Sequence, residues 1–236
     1  MKRVGLSTGC LYKAGVGIEE AIKLYKSLGA NAIEISFGHS PELFDFNLTQ
    51  ETIKEVRKYD SVSLHGPWDI RYDKNIKTEQ VIEKLRYFSE NLGAEGIVVH
   101  PDTVDSFSVL EKSGLPFLIE NMDTRKKFGT HPDAFERIKQ AYGFGFVLDI
   151  KHAEDHDYSM ELAKKLLDVM ADRLAHFHVS GSDHNNKHMP TYAAKNKDSI
   201  AEILSLGKDV LRISEGIISD NIEQTISEEL AFLRSV

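Results

Sequence analysis

Eight short apolar runs, rich in β-branched and aromatic residues, punctuate the chain: VGLST (4–8), AIEIS (32–36), SVSLH (61–65), GIVVH (96–100), PFLIE (116–120), FVLDI (146–150), AHFHV (175–179) and VLRISE (210–215). Near-continuous runs of this length fit strands buried on both faces. Between them, apolar residues recur every three or four positions, the period of an amphipathic helix. In IEEAIKLYKSLG (18–29), Ile18, Ala21, Ile22, Tyr25 and Leu28 form one stripe that stops at Gly29, a favoured helix-ending residue. TEQVIEKLRYFSENLG (78–93) repeats the device with Val81, Leu85, Phe88 and Leu92 before Gly93. The same periodicity predicts helices over 49–59, 132–142, 159–173, 198–206 and 221–233, and a short one over 106–112.

Strand and helix therefore alternate. Alternation builds a parallel sheet with crossover helices, and eight units in 236 residues match a closed (β/α)8 TIM barrel occupying 1–236 as one domain. The alternative is an open doubly wound sheet. That fold would carry a glycine-rich phosphate turn after an early strand, and no GxGxxG occurs. No tract of low complexity and no linker rich in Pro, Gly or Ser interrupts the pattern.

The strand ends carry the candidate chemistry. The third strand ends at His65, the fourth at His100 and the fifth at Glu120. The sixth carries Asp149 with His152 just beyond it, the seventh carries His178, and the eighth ends at Glu215. In a barrel this is the face where active sites lie. A charged group ending an apolar strand is costly to bury unless it is paired or binds a metal. Several such groups aimed at one mouth would repel or stay unsatisfied without cations among them. Imidazole mixed with carboxylate suits zinc, manganese or iron better than magnesium or calcium. The candidates outnumber what one tetrahedral ion uses, which points to two or three ions. A carboxylate bridging two of them would clamp a phosphoryl group from both sides.

Composition narrows the setting. With 41% hydrophobic residues the chain can bury a large core, about 70% or more of its unfolded surface. A net charge of −8 advertises no broad basic face for nucleic acid, although it leaves room for a locally basic cleft. Ten histidines exceed what the size requires, and histidine is the commonest metal ligand. The single cysteine, Cys10, excludes an internal disulfide, fits a reducing cytosol, and reads as an inert thiol. MKRVGLSTG enters a strand without a signal-peptide core, and no apolar run approaches bilayer-spanning length. A cytoplasmic protein with no membrane partner is expected.

The ordered set HGPW (65–68), VVHPD (98–102), IENMD (119–123), LDIKH (148–152), HFHVSGS (176–182), NKH (186–188) and SEG (214–216) resembles the endonuclease IV / xylose isomerase-like TIM barrels over essentially the whole chain. That superfamily includes AP endonuclease family 2 and sugar phosphate isomerases and epimerases. Carried over residue by residue, the resemblance implies that His65, His100 and Glu120 hold one ion. Glu120 would bridge to a second ion held by Asp149, His178 and Glu215, and His152 with His188 would hold a third. Zinc is the implied metal, with manganese as the alternative. Two departures stand out. Asn186 replaces the Asp of the endonuclease's Asp-x-His, a poorer ligand that weakens the third site unless Asp183 substitutes. Strand seven continues as VSGS where the nuclease pattern has an Asn-Asp pair, and the glycine-rich turn after Asp-x-His is missing. The chain is also shorter than a typical endonuclease IV, which implies trimmed DNA-gripping loops.

Other candidates lie around this set. Trp68, the only tryptophan, follows His65 by three residues and is a candidate substrate contact, on a base or over a small ligand. Arg71 and Arg125, with Lys74, Lys126 and Lys127, form the basic cluster that can be placed at the mouth. Glu34 points inward on strand two, either lining the pocket or pairing within the barrel. His176 shares the inward face one layer deeper and reads as a core or supporting histidine, while His39, His131, His156 and His184 read as solvated. Two activities follow. One is metal-dependent hydrolysis of abasic DNA or a related phosphoester, favoured by His65, His100 and the Glu-Asn pair of IENMD. The other is isomerisation or epimerisation of a sugar or sugar phosphate, with Glu120 and Glu215 exchanging protons as acid and base. Against it, the Arg-containing Pro-Gly stretch that several epimerases carry after strand seven is absent, and Met122 stands where xylose isomerases have lysine. For it stand the small size, the acidic charge and the altered third-ion motif. The hydrolase is preferred. A non-catalytic scaffold ranks below both, because so complete a ligand set is hard to keep folded without metal.

Overall fold

Each apolar run forms a strand, and the computed structural model, which describes residues 2–183 and 187–236, closes them into a barrel. The barrel strands are β1 (Val4–Ser7), β2 (Ala32–Ser36), β3 (Ser61–His65), β4 (Gly96–Val99), β5 (Phe117–Glu120), β6 (Gly145–Asp149) and β7 (Leu174–Val179). A hairpin of β8 (Gly181–Ser182) and β9 (Lys187–Met189) precedes the last barrel strand, β10 (Leu211–Ser214). All neighbours in the barrel are parallel, and β10 pairs with both β7 and β1 to close it. The expected (β/α)8 barrel is therefore the fold, and the open sheet is excluded. His184 and Asn186, singled out in the sequence, lie outside the described residues.

Strand parity sorts core from site. Side chains alternate across a strand. Leu6, Ile33, Ile35, Leu64, Val99, Ile119, Leu148 and Phe177 join the large core shared with the helices. Residues of opposite parity face the barrel interior, where Ala32, Leu211 and Ile213 form one small apolar cluster and Val98, Leu118 and Val147 another. Leu118 fills this space so fully that a Cβ at Gly96 or Gly145 would lie 2.4 or 2.5 Å from its side chain. Glu34, His65, His100, Glu120, Asp149, His178 and Glu215 share the inward parity. The interior is thus an apolar plug below and polar side chains above.

The helices surround the barrel: α1 (Ile18–Ser27), α2 (Ser40–Asp45), α3 (Gln50–Val56), α4 (Ile76–Leu92), α5 (Phe107–Ser113), α6 (Pro132–Ala141), α7 (Ile150–His156), α8 (Glu161–Met170), α9 (Lys197–Leu206) and α10 (Ile222–Ser235). Gly93 ends α4 in the left-handed region at φ 69°, as its place in the pattern implied. The periodicity over 159–173 divides differently from expectation. It becomes α8 plus a 3-10 turn, Ala171–Arg173, while the unforeseen α7 starts directly after β6. The Asp149 side chain caps α7 by accepting the His152 amide at 2.7 Å. Helix α2, also unforeseen, begins where Glu42 Oε2 accepts the amides of Gly38 and His39 at 2.8 and 3.3 Å. Among the described residues, no helix is long and apolar enough to cross a membrane.

Candidate metal centre

Glu120 is the point at which the strand ends meet. It is 1% exposed, and its two oxygens face different partners. Oε2 lies 3.3 Å from Nε2 of both His65 and His100, whereas Oε1 lies 3.2 Å from His178 Nδ1 and 3.4 Å from His152 Nδ1. Glu215 Oε1 stands 3.5 Å from the same His178 nitrogen. Two groups of potential ligand atoms result, each lying within 4.8 Å of one another. One is His65, His100 and Glu120; the other is Glu120, Asp149, His178 and Glu215.

Asp149 is held to a single purpose. The Asn121 side chain clamps its backbone, donating to Asp149 O at 2.9 Å and accepting from Asp149 N at 2.7 Å. Its Oδ1 is occupied as the α7 cap, but its buried Oδ2 has no hydrogen-bond partner among the described residues. His152 Nδ1 lies 2.8 Å from Asn121 O, so a proton there donates to the carbonyl and leaves Nε2 for a ligand. His188 faces it from β9 with ring centroids 5.8 Å apart, and Ser180 Oγ lies 3.1 Å from its Nδ1. The hairpin bearing His188 is latched by Glu154, which accepts from Ser182 Oγ at 2.9 Å and Asn196 Nδ2 at 2.7 Å and pairs with buried Lys151 at 3.2 Å.

The charges explain why such a site stays folded. Burial pushes the Glu120 carboxyl up, but the His178 imidazole and hydrogen bonds from His100, His178 and His65 hold it well below its ordinary value. Burial alone would lower His65, yet Glu120 raises it to about 9. His178 is likewise raised well above normal against its burial, by Glu215, Glu34 and Glu120. Glu215 is pushed up to about 7 by burial, against the pull of His178 and with the nearby charges of Glu120, Asp149 and Glu34 adding to it. Protons thus hold part of the positive charge that these carboxylates require. The donor set fits divalent ions on its own evidence. It mixes imidazole with carboxylate, contains the orphaned Asp149 oxygen, and has edges of 3.2–3.5 Å, close to the roughly 3.3 Å between ligands around a tetrahedral zinc.

Above the cluster opens a cavity of about 660 Å³. His65, His100, Glu120, His152, His188 and Glu215 line its floor and walls. Trp68 lies over His100, rings 5.7 Å apart and within 9° of parallel, and meets His65 edge-on at 5.6 Å. A Cβ at Gly38 would come within 2.8 Å of the indole, so glycine there is what admits it. Arg125 and Lys126 also line the cavity, but Arg125 pairs with Asp123 (Nε–Oδ2 2.7 Å) and Lys126 with Asp102 (2.7 Å). Arg71 does not line it; its guanidinium turns to Asp105 (Nε–Oδ2 2.9 Å). Glu34 lies below the site, 0% exposed, and pairs within the barrel instead of forming cavity wall. His131 is exposed as read from sequence, whereas His156 is half-buried with Nε2 3.2 Å from Met122 O. His39 is exposed but joins the cavity rim, as does Tyr12, which the sequence reading passed over. Tyr12 follows β1 on the active-site side of the barrel, and that position was the available signal.

No protein-family model and no curated protein matches the chain. Solved structures do. A D-tagatose 3-epimerase-like protein aligns over 100% of this chain and 98% of its own, with 20% identity and a TM-score of 0.71. Endonuclease IV from Thermus thermophilus aligns over 99% and 100%, with 17% identity and a TM-score of 0.73. A 3-keto-D-glucoside 4-epimerase from E. coli aligns over 100% of both chains, with 17% identity and a TM-score of 0.71. These likenesses are ones of fold, a closed (β/α)8 barrel aligned over nearly the whole of each chain.

Proposed function

We propose that this chain is a divalent-metal-dependent phosphodiester hydrolase resembling endonuclease IV, acting on abasic DNA or a related phosphoester. One observation carries the reading: His65 and His100 converge on Glu120 Oε2. A site using a single ion on Glu120, Asp149, His178 and Glu215 has no need of them. The facing pair His152 and His188 extends the ligand set in the same direction. Zn2+ would sit between His65, His100 and Glu120, and between Glu120, Asp149, His178 and Glu215, with Mn2+ as the alternative and His152 and His188 as a third position. Bound there, the ions would supply positive charge for a phosphoryl group and acidify water.

The chain's own residues set the rest. Glu120 joins the two halves of the cluster, Asn121 holds Asp149 and His152 in place, and Trp68 covers His100 and His65, offering a flat apolar face for stacking. Arg125 and Lys126 stand at the rim, where phosphate can compete with Asp123 and Asp102 for them. Glu34 and Arg71, both inward- or mouth-directed candidates from the sequence, act at most indirectly from their observed positions. Buried Cys10, whose Sγ lies 3.1 Å from Ser214 O, fits a reduced cytoplasmic setting.

A second reading, a sugar or sugar-phosphate epimerase, has its own support. Glu120 and Glu215 approach one point from two sides, and a carboxyl near 7 is suited to exchanging protons with carbon. The pairing of the rim cations with acids also leaves little free positive charge for a polyanion. The deciding experiment incubates metal-loaded protein with a duplex bearing one abasic site and, separately, with a panel of ketoses in D2O. Incision without deuterium uptake is the expected result. Deuterium uptake without incision would transfer the assignment to the epimerase.

A further inference from the structure

Beneath the cavity floor lies another polar layer, formed by Glu34 on β2, Ser63 on β3 and His176 on β7, none more than 2% exposed. A carboxylate buried so deeply requires donors. Glu34 Oε2 accepts from Ser63 Oγ at 2.9 Å and lies 3.2 Å from His178 Nε2. His176 Nε2 lies 3.2 Å from that same nitrogen and 3.4 Å from Glu34 Oε2, so a proton on His176 Nε2 is also directed to Glu34 and leaves the carboxylate as the acceptor for His178. Among the described residues, the opposite ring nitrogen of His178 faces carboxylate oxygens, Glu120 Oε1 at 3.2 Å and Glu215 Oε1 at 3.5 Å. We infer that Glu34 is a positioning residue: it receives the Nε2–H of His178 and so presents Nδ1, as a lone pair, to the ion between Glu120 and Glu215. The inference rests on the metal reading above. A neutral imidazole carries one proton. Committing it to Glu34 fixes the tautomer, the ring orientation and the basicity of the ligating nitrogen together.

An ion of its own in the lower layer is the rival explanation, since ligand atoms of Glu34, His176 and His178 also lie within 4.8 Å of one another. That ion would need His178 Nε2 while the upper one takes Nδ1, and a neutral imidazole cannot give both. Ser63 and His178 already serve Glu34 Oε2; Oε1, without a hydrogen-bond partner among the described residues, lies 3.2 Å from the same His178 Nε2, and the cavity lining includes neither Glu34 nor His176.

The test measures Zn2+ affinity and saturating stoichiometry for the full chain and for Glu34→Gln, using a competing chromophoric chelator. The expected result is a loss of about 10–100-fold in affinity for one ion, with stoichiometry at saturation and affinity for the other ion unchanged. A merely structural role would weaken every ion alike, and a lower-layer ion would disappear from the stoichiometry; either result overturns the inference. Zn-loaded wild type labelled with 15N-histidine provides a readout that needs no variant. His178 should show a bound Nδ1 and a proton on Nε2, and the reverse pattern would refute the positioning role. Wild type that takes up no ion would defeat the metal reading itself, whereas equal affinities in wild type and Glu34→Gln would defeat only this inference.

Discussion

Glu120 has an oxygen on each side of the ligand cluster, so neutralising it affects both proposed ions at once. Glu120→Gln should lower bound metal by at least one ion per chain, read by elemental analysis. Because a catalytic ion is worth several kcal/mol, activity should fall about 100-fold or more at 1.36 kcal/mol per decade. Unchanged metal content would remove the bridging role. Protons compete for the same atoms. Glu215, raised to about 7 by burial, and His65, raised to about 9 by Glu120 against its burial, must each lose a proton to become ligands. With His178 also raised well above its ordinary value, zinc affinity should climb by at least about tenfold per pH unit between 7 and 9, measured by chelator competition, and a flat profile would contradict it. Trp68 touches the imidazoles of His65 and His100, proposed as ligands, without being a ligand itself. Trp68→Ala should keep the metal and lose about 10-fold in kcat/KM, in line with roughly 1–3 kcal/mol for stacking.

Helix α7 and the β8–β9 hairpin bring His152 and His188 together, and they show where sequence reading succeeds and fails. The Asp-x-x-His spacing of LDIKH was visible as a motif, but its mechanical basis is a helix cap, with Asp149 accepting the His152 amide. At seven residues, α7 is too short for a period to reveal it. Strand ends were legible because the barrel strands are mostly apolar, so a His, Asp or Glu at the end of one interrupts the pattern visibly. Arg71, in contrast, was placed at the mouth by chain position alone, and nothing local in the sequence announces its partner Asp105. The Glu154 latch, joining Ser182, Asn196 and Lys151 across separated segments, was equally invisible. Glu154→Ala removes the latch and one acidic partner of Lys151, which is 2% exposed. Breaking a buried ion pair costs about 3–5 kcal/mol; with Asp155 still beside Lys151, the loss should reach about 2–3 kcal/mol in urea denaturation. An unchanged midpoint would show that the latch is idle.

The barrel gathers opposite charges at one end, and its stability should record whether ions are present. His65 has a folded pKa of about 9, above its ordinary 6.5, so its contribution is complete below about 6.5 and is lost as pH rises through 9. Glu215, raised from 4.5 to about 7, likewise contributes most below 4.5 and loses that contribution as pH rises through 7. Glu120, held below its ordinary value, contributes above 4.5 and loses its share only in stronger acid. Metal-free protein should therefore melt at lower temperature as pH rises from 6 to 9, while zinc, bound more tightly at high pH, should widen the gap between loaded and chelated protein. Calorimetry with and without chelator checks this, and a constant gap would count against it. Overall topology was readable from the alternation of strand and helix, whereas hydrolase or epimerase chemistry was not, because one barrel hosts both. The most direct measurement is a crystal grown with zinc and recorded across the zinc absorption edge. Two anomalous peaks are expected, each at about 2.0–2.2 Å from its ligands, one among His65, His100 and Glu120 and one among Glu120, Asp149, His178 and Glu215. No peak, or a single peak with His65 and His100 turned away, would contradict the account.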